Sequence, residues 1–136
     1  SLYNIISGHR FSEQKEICEK YNIFPSSEEW KDKILFIETS EGKSSPEEYE
    51  KMLNTLKEKV NFDSLGGIIV GKPQNEVYYE EYKKILCKVV NNPDIPIVYN
   101  VNFGHAYPRC ILPYGINVEY RHSEKKFIFN EPLFSK

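Results

Sequence analysis

Ile34-Leu35-Phe36-Ile37 is an unbroken apolar run, closed on its carboxyl side by Glu38-Thr39-Ser40-Glu41. It is short, rich in isoleucine and bounded by polar residues, so it predicts a strand with both faces covered. Gly67-Ile68-Ile69-Val70-Gly71 predicts a second strand, and Pro96-Ile97-Val98-Tyr99-Asn100 a third. Between them the apolar period lengthens to that of a helix. Ser45-Pro46-Glu47-Glu48 is a helix start: an N-cap, a proline at N1, then glutamates at N2 and N3, the last completing a capping box. Tyr49, Met52, Leu53 and Leu56 follow at helical spacing and predict a helix to about Lys59. A second helix is expected from Asn75 or Glu76 through Val90, with Tyr78, Tyr82, Ile85, Leu86 and Val89 as its apolar residues. The order β-α-β-α-β favours parallel strands joined by right-handed crossovers.

The flanks are less regular. Residues 2–6 (Leu-Tyr-Asn-Ile-Ile) suggest a short strand. Residues 12–21 suggest a helix capped by Ser12, with Ile17, Cys18 and Tyr21 on one side. Phe24-Pro25-Ser26-Ser27 breaks it, and Glu28-Glu29-Trp30 reads as a turn carrying a half-buried Trp. After Gly104, residues 110–112, 116–120 and 126–130 read as short strands with turns between them. The whole is expected to be α/β, a single mixed β/α domain.

Composition agrees. The chain has 136 residues, 40% hydrophobic and 28% charged, enough for one domain with a core. Its 18 basic and 20 acidic residues leave a net charge of −2, too balanced for a broad nucleic-acid surface. Three cysteines, none in a CxxC pair, argue against a disulfide scaffold and for a reducing compartment. No run reaches a membrane span's ~18 apolar residues. The amino terminus does not resemble a secretory signal, so a cytoplasmic protein is expected. The first residue is Ser, which suggests a processed chain or a fragment.

Several chemical motifs fail on inspection. Gly66 to Pro73 has the spacing of a phosphate loop, but Pro73 offers neither hydroxyl nor N–H and the intervening residues are strand-like. Gly42-Lys43-Ser44 lacks the upstream glycine. His9, His105 and His122 share no metal-ligand spacing with each other or with a Cys. Cys18 and Cys87 read as buried small hydrophobes, and Cys110 as structural. Two residues stand out by position. Glu38 directly follows a buried strand, and His105 lies in Asn102-Phe103-Gly104-His105-Ala106-Tyr107-Pro108 after another. Carboxyl ends of parallel strands collect sites. A carboxylate and an imidazole there suit a His base oriented by an acid, although taken locally Glu38 reads better as an ordinary solvated loop residue and His105 equally well as one.

Stretches 26–41, Gly67–Pro73, Asn102–Pro108 and Ile111-Leu112-Pro113-Tyr114-Gly115 occur in that order. Together they resemble the C-terminal domain of the LD-carboxypeptidase family of serine peptidases, closest to its microcin C immunity branch. The resemblance covers roughly residues 25 to 131. It implies a swivelling β/β/α domain over 25–136, with 1–24 a diverged linker. It matches Glu38 and His105 to the Glu and His of a Ser-His-Glu triad whose Ser belongs to an N-terminal domain. It implies amide hydrolysis in murein LD-peptides or microcin C-like peptidyl-nucleotides, with no cofactor and no metal.

Nothing in the chain corresponds to that nucleophile domain, so the chain alone is expected to be inactive. Ser7-Gly8-His9-Arg10 stands where the family usually has a glycine pair, and Ala106 where it more often has Thr. A second expectation is a non-catalytic interaction domain, in which apolar surface left without its partner domain pairs two copies as a homodimer. A flavodoxin-like nucleotide binder ranks last, for want of a phosphate loop.

Overall fold

The computed structural model describes residues 2–134. Three parallel strands form the sheet in the order β1 (Ile34–Ile37), β2 (Gly67–Gly71), β3 (Ile97–Val101). Two helices connect them, α3 (Pro46–Lys59) and α4 (Tyr79–Val90), after α1 (Leu2–Ser7) and α2 (Glu13–Lys20). An antiparallel hairpin of β4 (Val118–Arg121) and β5 (Lys126–Phe129) closes the chain. The expected β-α-β-α-β unit and antiparallel end are both present.

Burial explains the layering. Leu35 and Ile37 of β1, with Ile68 and Val70 of β2, join Tyr49, Leu53 and Leu56 of α3 and Tyr82, Leu86 and Val89 of α4 in one core. Successive strand residues alternate faces. Phe36 and Ile69 are therefore partners in register on the other face, and Ile69 is level with Val98. That face of β1 is only half-buried, so the expectation of two covered faces holds for β2 alone.

Capping fixes where the helices start and stop. Ser45 Oγ accepts the Glu48 N–H at 3.2 Å, with Pro46 at the first helical position. Lys57 Nζ reaches from α3 to donate to the Val89 and Val90 carbonyls at 2.6 and 3.2 Å, a cation on the carboxyl end of α4.

Five further expectations about the elements are corrected. Residues 2–6 are helical: Leu2 and Ile6 lie one turn apart against the core, Tyr3 is buried, and Gly8 at φ +65 ends the helix with its N–H on the Asn4 carbonyl. On α2 only Cys18 is buried, Ile17 and Tyr21 are exposed, and the Ser12 side chain makes no cap bond. The second crossover helix begins at Tyr79, because Asn75, Glu76 and Tyr78 all sit at φ 57, which a right-handed helix does not accommodate. Residues 110–112 are not a strand, since the Cys110 N–H and thiol both bond the Asn102 carbonyl and leave Ile111 exposed. The first hairpin strand starts at Val118, two residues later than expected.

Candidate active site

The carboxyl ends of β1, β2 and β3 lie side by side, and each delivers one part of the site. Glu38 follows the last residue of β1. Gly71 ends β2. After β3 the chain turns sharply, with the Phe103 N–H on the Val101 carbonyl at 2.8 Å, and runs into Gly104-His105.

Two glycines let these segments meet. A Cβ on Gly71 would lie 2.9 Å from the Phe103 carbonyl oxygen and 3.3 Å from the Glu38 Cβ. The bare backbone of the central strand is thus the floor over which the acid and the loop approach each other. Gly104 is at φ +85, and a Cβ there would land on the Glu38 carboxylate. Phe36 anchors the same loop from the sheet, its ring edge-on to Phe103 at 5.7 Å and to Tyr114 at 5.8 Å.

His105 Nδ1 lies 3.0 Å from Glu38 Oε2. The two side chains are 37% and 39% exposed, open enough to be reached by a substrate. On the opposite ring nitrogen, Nε2 lies 3.7 Å from Glu41 Oε2. The imidazole therefore stands between two carboxylates, one close and one loose. Glu41 belongs to the β1–α3 loop, which is tied at its far end: the Tyr82 hydroxyl donates to the Ser44 carbonyl. Burial pushes the Tyr82 phenol up, which keeps that O–H protonated as a donor.

His105 also stands between two cavities. A groove of about 850 Å³ runs past Glu38, Phe36, Tyr114 and Trp30 toward α1. His105 also lines a smaller cleft of about 340 Å³, together with Lys72 and Glu76. Among the described residues no group of three or more His, Cys, Asp or Glu is placed to hold a metal ion. No described helix is long and apolar enough to cross a membrane.

The structure brings the two sequence candidates together across 67 positions of chain. Sequence reasoning missed Gly71, Glu41 and Lys72. Glycine bounds a strand in many ways, and Glu41 shows in the sequence only as a second acid in a loop. Cys87 was expected buried and is exposed, because it falls on the outer side of α4 between Leu86 and Val89.

An α/β domain with an acid–imidazole pair at its strand ends is the class these features define. The chain belongs to the LD-carboxypeptidase C-terminal domain family, whose model matches residues 15–120. It is similar to a Treponema pallidum (strain Nichols) protein named "Putative carboxypeptidase", 33% identical over 87 residues, covering 62% of this chain and 26% of that protein. It is also similar to an MccF-like protein from Streptococcus pneumoniae, crystallised in complex with AMP. There the TM-score is 0.90 at 42% identity, over 96% of this chain and 38% of the other. The chain thus spans between a quarter and two-fifths of the length of these relatives.

Proposed function

We propose that this chain supplies the acid and base of a serine-type carboxypeptidase, with Glu38 and His105 in the Ser-His-Glu triad. The observation that carries this reading is the 3.0 Å contact between His105 Nδ1 and Glu38 Oε2. The carboxylate accepts the Nδ1–H and so leaves Nε2 unprotonated and able to act as a base. Nε2 takes the proton of the Ser hydroxyl as Oγ attacks the amide carbonyl carbon. When the tetrahedral intermediate collapses, the C–N bond breaks and the proton passes to the departing nitrogen. Water then hydrolyses the acyl-enzyme by the same proton path in reverse. Glu41, loosely placed on Nε2 and itself 76% exposed, moves aside when the Ser arrives.

The Ser comes from an N-terminal nucleophile domain, a partner consistent with the share of its relatives that this chain spans. The substrates are murein LD-peptides or peptidyl-nucleotides of the microcin C type. The carboxypeptidase name of one relative supports the first and the AMP complex of the other the second. The chain alone is inactive in this account. Phe11, Ile17, Tyr21 and Ile23 are exposed on and around α2, which favours an interdomain contact or, in the competing reading, a homodimer.

A fluorophosphonate probe tests the assignment, since it labels only a serine activated by its base. In a polypeptide joining this chain to its nucleophile domain, one serine should be labelled, and His105→Ala should abolish labelling. Undiminished labelling of His105→Ala would remove His105 from the triad.

A further inference from the structure

The smaller cleft beside His105 has no part in the proton transfers above, yet it is the more polar of the two cavities and holds a lysine. Lys72 directly follows β2, and its N–H donates to the Val101 carbonyl at 2.9 Å, so its backbone extends the central strand's pairing with β3. Its side chain is only 27% exposed. Removing a cation from water is unfavourable unless an anion compensates it. Here the compensating anion is Glu76, with Oε1 2.6 Å from Nζ on a side chain that is itself 62% exposed. A largely exposed carboxylate thus pairs with a half-buried lysine side chain, and such a partner is replaceable.

The loop that presents Glu76 is strained. Asn75 and Glu76 both sit at φ 57, in the left-handed region that side chains rarely adopt. Such strain persists where surrounding structure enforces it, and it collects at ligand clamps. Gln74 and Asn75 add neutral polar side chains to the lining, and His105 and Tyr107 complete it. Arg10, a competing cation, lines the larger groove but is exposed on a loop beside Phe11. Arg109 is stacked over Tyr107 at 4.1 Å.

We infer that this cleft is a subsite for the anionic end of the substrate, with Lys72 as the counter-ion and Glu76 as the group the anion displaces. This inference deepens the carboxypeptidase reading and rests on it for the identity of the substrate. A carboxypeptidase cuts the amide next to a free carboxylate, so a cation within a residue's length of the base is needed. A phosphate attached to the scissile nitrogen would need the same cation. The lysine is held at the end of a strand and meets the ligand as a point charge, without the loop amides of a phosphate cradle.

The test is an amide chemical-shift titration of this chain with N-acetyl-D-alanine and, separately, with inorganic phosphate. Saturable shifts are expected at residues 72, 74–76 and 105–107. Lys72→Met should weaken binding by about tenfold or more, the loss of a charge-assisted contact. Glu76→Gln should strengthen it about two- to fivefold, the release of an exposed competing ion pair. Response to N-acetyl-D-alanine alone assigns the cleft to a carboxylate, and response to phosphate alone assigns it to a phosphoryl group. No saturable shift with either probe, or affinities unchanged in both variants, would overturn the inference. Serine labelling reads the Glu38–His105 pair independently, so either claim can fail while the other stands.

Discussion

A Cβ at position 104 would occupy the space of the Glu38 carboxylate, and the backbone there has φ +85. Gly104→Ala therefore meets two obstacles, strain in the backbone and eviction of the acid. The second dominates function, because evicting Glu38 unties the ring it orients. Nitrogen-15 shifts of the His105 ring check this directly. The wild-type chain is expected to hold the Nδ1–H tautomer, and Gly104→Ala to show a mixture of both. A substitution that left the tautomer unchanged would mean Glu38 is not what fixes it. Glu38 and His105 were legible as strand-end residues, but Gly104 shows in the sequence only as a residue permitting a tight turn. The requirement that position 104 have no side chain arises between β1 and β3, where no local pattern records it.

Among the elements, α3 was the most legible, because its start is written in consecutive residues that act locally. Ser45 accepts the Glu48 N–H, while the carboxyl of Glu47 is held below its ordinary 4.5 by its own backbone N–H and by Ser45. A carboxylate whose value is depressed by folding stabilises the fold above its unfolded value, and that contribution disappears as pH falls through the folded one. Ser45→Ala should cost about 1 kcal/mol at neutral pH. Urea unfolding of both forms at pH 7 and pH 3 should show the gap narrowing in acid, and a gap that widens would contradict the assignment. The elements that were misread lacked such local signals. Helix α1 is decided by Leu2, Tyr3 and Ile6 packing on distant residues, and the late start of α4 by left-handed residues that composition does not mark. Residues 110–112 have strand-like side chains but spend their polar groups on Asn102.

In the molecule as a whole, one sheet places everything that matters at one end. The glycine floor of β2 joins Glu38 to the Gly104-His105 loop, and Lys72 continues from the same strand into the adjoining cleft. Exposed apolar side chains around α2 and in the 107–114 loop face outward from this end-loaded domain, as a docking partner would require. The balanced charge and the sheet-helix core were readable from composition and period. Strand-end position suggested an acid and a base 67 residues apart as a pair, the resemblance made them a triad's Glu and His, and the fold puts them in contact. The decisive measurement is kcat/KM for release of the terminal residue from an LD-tetrapeptide, or of the nucleotide from a peptidyl-nucleotide. It compares the polypeptide that joins this chain to its nucleophile domain with its Glu38→Gln and His105→Ala variants. The account predicts losses of about 10⁴-fold for Glu38→Gln and about 10⁶-fold for His105→Ala, as for loss of a triad acid and base, and no turnover by this chain alone. Variants that retained wild-type kcat/KM would contradict it.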